Sequence, residues 1–213
     1  MEKKVPIKGG AHVFHEPVIA PNFHISGELW GDYVLSAGSL SRGSSAPDLE
    51  TFIGGIELPA FAGTGGVSEE GSFSTHILHD LKPNSTMTFH VHWGHNIDSG
   101  TYTAGDNSVK WQIECTFAKG YGGVFHTPVT TSSTQSAGAQ YEHHITNDDD
   151  MTLVVPDAIN TIEPDTVVLA RIFRDPSEDD FAHDAFLIQA DIHYQIGQLG
   201  TKERNRPFGG FDE

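Results

Sequence analysis

Apolar and polar residues alternate with a period of two along most of the chain after Phe52. Val109, Trp111, Ile113, Cys115 and Phe117 alternate with Lys110, Gln112, Glu114, Thr116 and Ala118. Successive side chains of a strand point to opposite faces, so this stretch reads as a strand with one buried face. Met87, Phe89, Val91 and Trp93 alternate in the same way with Thr86, Thr88, His90 and His92. Ile188, Ala190, Ile192, Tyr194 and Ile196 alternate with Gln189, Asp191, His193 and Gln195. Residues 166–173 are β-branched and almost continuously apolar, the pattern of a central strand. Weaker strands are expected over 53–61, 72–79, 140–146 and 151–155. Gly, Pro, Asn and Asp mark turns at 63–71, 82–85, 94–106, 120–138, 147–150, 156–164 and 175–184. No window of helical length keeps a 3.6-residue period.

Strands joined by uneven loops, some of them long, predict an all-β fold. The expected architecture is an antiparallel two-sheet jelly-roll sandwich over residues 51–200 with an extended N-terminal arm. In the first 50 residues isolated aromatics (Phe14, Phe23, Trp30, Tyr33) sit between prolines, glycines and a Ser/Gly stretch, with no period. Such a segment has anchors but no face of its own, so residues 1–50 read as an arm ordered by another surface. Residues 201–213 read as a C-terminal tail. In jelly-roll lettering B to I, the strand at 86–93 is D and the strand at 185–196 is I. These are sheet neighbours, which puts His90 and His92 on the same side as Gln189, Asp191 and His193. A His–Asp pair there would form a pH-sensitive latch.

Composition narrows the partners. The chain has 213 residues, with 12 Lys+Arg against 29 Asp+Glu, for a formal charge of -17. A basic footprint for nucleic acid is absent, and so is a cationic face for anionic lipid. No apolar run reaches the roughly 20 residues of a membrane helix, and the Met1-Glu-Lys-Lys start does not read as a secretory signal. The single cysteine, Cys115, excludes an intrachain disulfide and multi-cysteine zinc motifs, and reads as a small buried apolar residue.

Candidate chemistry lies in the 13 histidines. His90-Val-His92-Trp-Gly-His95 places two imidazoles on one side of a strand, and a third ligand from a neighbouring strand would complete a metal site. The candidate set is His90, His92 and His193, a structural site if it forms, with Asp191, His143 and His144 as other ligands within reach. The string His-x-His-Trp-Gly is similar to the zinc strand of the α-carbonic anhydrases, but the next strand, 109–117, supplies no histidine. The cupin pattern is likewise broken, because no Glu follows His92 at the required distance. Near a threefold axis, three copies of His-x-His would supply six ligands to one ion. The plainest alternative is a set of hydrogen-bonded surface or interface histidines.

Other clusters are weaker. Asp148-Asp149-Asp150 and Glu178-Asp179-Asp180 could ligate Ca²⁺ but lack the EF-hand spacing and read as solvated turns. Arg171 and Arg174 call for carboxylate partners, Asp175 or Asp191. Trp93 and Trp111 lie on apolar faces and read as core. Gly63-Thr-Gly-Gly66 lacks the Lys-Ser/Thr of a phosphate loop, and no serine-hydrolase elbow is present. No catalytic set can be assembled, so the chain is expected to be non-enzymatic and to carry no cofactor beyond that structural ion.

Three blocks, taken together, resemble a group of tailed-bacteriophage virion proteins. They are Lys82-Pro-Asn-Ser-Thr-Met-Thr-Phe-His-Val-His-Trp93, Val109-Lys-Trp-Gln-Ile-Glu-Cys-Thr-Phe117 and Asp184-Ala-Phe-Leu-Ile-Gln-Ala-Asp-Ile-His-Tyr-Gln195. The group shares a His-x-His-Trp strand, a Trp-containing next strand and a C-terminal Asp-x-His-Tyr-Gln strand. Tyr141-Glu-His143 and Leu169-Ala-Arg-Ile-Phe-Arg174 fit the same layout, so the resemblance covers residues 50–200. It implies a β-sandwich component of a virion assembled in the host cytoplasm. The expected role is a capsid decoration or cement protein, a homotrimer whose arm and loops bridge copies of the major capsid protein. A head fibre, neck or tail component that binds host glycan is the alternative. A cupin-like or carbonic-anhydrase-like enzyme built on His90 and His92 is the further one.

Overall fold

Two antiparallel sheets pack face to face in the computed structural model, which describes residues 28–82, 85–98, 100–101, 107–120, 122–153 and 162–197. The strands are β1 (Leu29–Ser36), β2 (Ser41–Arg42), β3 (Asp48–Ile53), β4 (Ile56–Phe61), β5 (Glu69–His76), β6 (Met87–Gly94), β7 (Ser108–Ala118), β8 (Val129–Ser136), β9 (His144–Ile145), β10 (Val167–Arg174) and β11 (Ala185–Ile196). One sheet has the order β3-β4-β11-β6-β9, and β1 pairs with β11 in line with β4. The other has the order β2-β5-β10-β7-β8. Lettering β4 to β11 as B to I gives B-I-D-G and C-H-E-F, the jelly-roll order. The strands before β4 extend its edges.

The core lies between the sheets. Phe89, Val91 and Trp93 of β6 face Trp111, Ile113 and Phe117 of β7, and all are fully enclosed. Each large apolar side chain so buried stabilises the fold by about 1.5–3 kcal/mol before entropy is counted. Phe61 meets Trp111 edge-on at 4.9 Å between ring centroids. Trp93 donates its indole N–H to Gln135 Oε1 at 2.9 Å, tying β6 to β8 of the opposite sheet. As expected, Trp93, Trp111 and Cys115 are core residues.

The structure moves several sequence boundaries. Residues 29–50, assigned to the arm, are largely in sheet. β1 pairs along β11 from Leu29↔Ile196 to Ser36↔Gln189, and β3 pairs with β4. The alternation in β1 is masked because Trp30 and Val34 are apolar on the exposed side while Tyr33 and Leu35 turn inward. The rest of the arm, 1–27, and the tail, 201–213, lie outside the described residues. The 120–138 loop contains β8, whose sequence Val-Thr-Thr-Ser-Ser-Thr-Gln-Ser has no apolar period. It is an edge strand held by backbone pairing with β7, so it needs no apolar face. The strand expected over 140–146 shrinks to β9, because residues 139–141 form a turn in which Tyr141 takes a left-handed φ of 62°. In the 151–155 stretch, Met151 and Leu153 still bond to β6, and Val154 and Val155 lie outside the described residues.

Candidate functional site

The G strand reaches β6 in two pieces, and the gap between them builds the site. His144 and Ile145 pair with Trp93 and His92, and Thr146 bonds to Val91 through its backbone N–H and its hydroxyl. Residues 147–150 then leave the sheet, and the chain rejoins β6 at Met151 to Leu153. This excursion lays Asp148 over the outer face of the sheet, on top of His90. On the other flank β11 runs antiparallel to β6 with Asp191 opposite His90 and His193 opposite Thr88. β1 then brings Asp32 opposite His193.

Pairing of these three strands gathers a chain of imidazoles and carboxylates. His90 Nε2 lies 2.5 Å from Asp148 Oδ1, and His90 Nδ1 lies 3.2 Å from Asp191 Oδ1. That second contact is electrostatic and not an aligned hydrogen bond, and Asp191 Oδ1 has no hydrogen-bond partner. The other oxygen of Asp191, Oδ2, lies 2.7 Å from His92 Nε2, and His92 Nδ1 is 2.9 Å from His143 Nε2. His193 Nε2 lies 2.7 Å from Asp32 Oδ1, and the His193 ring meets that of His90 edge-on at 3.9 Å between centroids. His90 and Asp191 are 3% exposed although they sit on the outer side of their strands. Two half-buried imidazoles and the 147–150 excursion enclose them.

Burial and charge oppose each other here. Burial alone would lower the His90 imidazole, but Asp191 and Asp148 outweigh it and raise it above the ordinary histidine value. Burial alone would raise the Asp191 carboxyl, but His90 and His92 hold it below the usual range. His143 is pushed down, first by burial and then by neighbouring His92.

Of the candidate metal set, His90 and His193 are brought together, and Asp191 stands with them. One ligand atom from each of these three lies within 4.8 Å of the other two. His92 lies on the far side of the Asp191 carboxylate, engaged with it and with His143. The His–Asp adjacency across strands D and I is present as read from the pattern. Asp32 and Asp148 were not legible as members of this cluster. One lay in the supposed arm and the other in an acidic turn, and neither carries a periodic signal.

The remaining clusters are absorbed by structure. Asp150 accepts from Ser133, Asp180 caps the start of β7 at Ser108, and Glu178 pairs with Lys110. Arg171 lies between Glu70 and Glu114, and Arg174 pairs with Asp179, so neither uses Asp175 or Asp191. On the outer face of the second sheet a shallow depression of about 370 Å³ is bordered by Ser72, Ser74, Glu114, Thr116 and Arg171.

No family model matches the chain, and no curated protein matches it. Solved structures match at low identity. One is a chain in the structure of infectious bursal disease virus, Gt strain, at 12% identity and a TM-score of 0.39, over 79% of this chain and 33% of that one. A second is CBM27-1 of Caldicellulosiruptor saccharolyticus in complex with mannohexaose, at 9% identity and a TM-score of 0.32, over 76% of this chain and 96% of that one. A third is TmCBM61 in complex with beta-1,4-galactotriose, at 11% identity and a TM-score of 0.25, over 81% and 90%. The chain spans about a third of the viral chains it matches. None of these likenesses assigns a role to this chain.

Proposed function

We propose that this chain is a non-enzymatic structural component of a tailed-phage virion, a capsid decoration or cement protein acting as a symmetric oligomer, most simply a trimer. The observation that carries this reading is where the three phage-like blocks fall. They are the D, E and I strands of a jelly roll, and their histidines are tied to one another and to carboxylates of neighbouring segments. The net charge of -17 suits an outer surface and opposes a position lined by DNA. Trp30 and Val34, on the outer side of β1, are 47% and 61% exposed. These two apolar side chains, flanking Asp32, offer contact area to a neighbouring subunit.

Quantitative mass spectrometry of purified particles tests this reading. Copies on the order of the major capsid protein are expected, and absence from the particle overturns it. Deletion of residues 1–27 should abolish capsid binding and leave the sandwich folded. The cut stops there because β1 belongs to the sheet.

A second reading, a head-fibre, neck or tail component that binds glycan, is favoured by the hydroxyl-lined depression on the second sheet. It requires only a few copies per particle, together with glycan binding lost on Arg171→Ala.

A further inference from the structure

We propose that His90, Asp191 and His193 form a binding site for one divalent transition-metal ion, Zn²⁺ by the chemistry of its donors. The ion would bind His90 through Nδ1, Asp191 through Oδ1 and His193 through its imidazole. The ion would clamp β6 to β11 on the outer face of the first sheet. The site belongs to the free protein and is independent of any role in a virion.

The first reason is a mismatch at the centre of the cluster. His90 Nε2 is 2.5 Å from the Asp148 carboxylate, so the proton of a neutral ring belongs on Nε2. The Nδ1 lone pair then faces Asp191 Oδ1 at 3.2 Å. Two acceptors that close need a positive charge between them, which either a second ring proton on Nδ1 or a metal ion supplies. Asp191 Oδ1 is buried and has no hydrogen-bond partner, which is costly unless something positive reaches it. Coordination by an ion satisfies both atoms at once.

The second reason is the outer ring of contacts. Metal-bound histidines characteristically hand their other ring nitrogen to a carboxylate, which fixes the tautomer and the ring orientation. Asp148 is hydrogen-bonded to Nε2 of His90, and Asp32 stands 2.7 Å from Nε2 of His193 as an ion-pair contact. With Asp32 on Nε2, Nδ1 is the nitrogen of His193 left for an ion, and it has no partner among the described residues. Asp191 has its own orienting contact, His92 Nε2 on Oδ2 at 2.7 Å. Each of the three ligands is thus braced by a residue that is not a ligand.

The third reason is spacing and donor type. One donor atom from each of the three residues lies within 4.8 Å of the other two. Around a tetrahedral ion with bonds of about 2.0–2.2 Å they would stand about 3.3–3.6 Å apart, so the site closes by side-chain movement of about an ångström. Two imidazoles and one carboxylate suit Zn²⁺ and disfavour Ca²⁺ or Mg²⁺, which take oxygen. Three protein ligands leave a tetrahedral ion one position for water.

The full chain, stripped with chelator and dialysed into metal-free buffer, would be titrated with ZnCl₂ by calorimetry, with metal counted on the gel-filtered protein. One zinc per chain is expected, with a rise in melting temperature on loading. Substituting Co²⁺ should give the visible absorption of a tetrahedral site. His193→Ala should weaken zinc binding on the order of 100-fold or more, and Asp32→Asn about 10–100-fold. His126→Ala, a histidine outside the cluster, should leave it unchanged. Circular dichroism of the stripped variants establishes that they fold. The partly exposed His193 keeps the test valid if Asp191→Asn does not fold. Absence of stoichiometric zinc in the wild type, or zinc binding unaffected by His193→Ala, overturns the proposal.

Discussion

Arg174 and Asp179 form an ion pair from which water is wholly excluded, with Nε 2.7 Å from Oδ2, Nη2 3.0 Å from Oδ1, and both side chains 0% exposed. The guanidinium donates its remaining bonds to the carbonyls of Phe61, His183 and Phe181. It thereby anchors the 175–184 loop between β10 and β11 to the end of β4. Breaking such a pair strands a buried charge. Asp179→Ala should therefore cost about 3–5 kcal/mol, read as a fall in the urea midpoint at constant slope. A loss within the range of a surface substitution would show that the loop carries no stability.

The two core tryptophans are not equivalent. Trp93 has its hydrogen bond to Gln135, whereas the buried Trp111 indole N–H has no partner among the described residues. Truncation to phenylalanine removes a satisfied donor at one site and an unsatisfied one at the other. Trp93→Phe should cost about 1 kcal/mol more than Trp111→Phe in paired denaturant melts. Equal losses would mean that the inter-sheet bond contributes nothing net.

Cys115 is buried on the inner face of β7, and burial pushes its thiol up to about 12. Thiolate is the reactive form, so the native protein should resist a thiol-specific reagent near neutral pH and react with one equivalent once unfolded in urea. Rapid reaction of the folded chain would contradict this placement.

His95 is fully buried and bonds on both sides. Its Nε2 donates to the Gly138 carbonyl, and its Nδ1 accepts from the Ile97 N–H. Burial is the main reason its pKa lies below the ordinary histidine value. A depressed folded-state pKa gives stability that is present above the unfolded value, about 6.5, and lost as pH falls through the folded one. Between about pH 7.5 and 5.5, wild-type protein should lose more stability than His95→Gln, as measured by melting temperature. Parallel curves for the two proteins would show that this ring does not titrate in that window.

Local alternation alone determined the strands whose two faces differ in polarity. β6, β7 and β11 are legible because burial on one face of a pleated strand imposes a two-residue period, and β10 because it is apolar almost throughout. That pattern, with the uneven turns, was enough for a jelly roll and for D and I as neighbours. β1 and β8 were not legible. One has apolar residues on both faces and the other is polar after Val129, and pairing with β11 and β7 decides their state. The histidine cluster divides along the same line. His90, His92, Asp191 and His193 follow from strand periodicity and one strand pairing. Asp32 arrives from β1, and Asp148 arrives through a break in the G strand. Side chains separated by more than 50 positions are brought together by backbone register, which no local period encodes. Only the tertiary structure therefore decided that Asp191, and not His92, stands with His90 and His193.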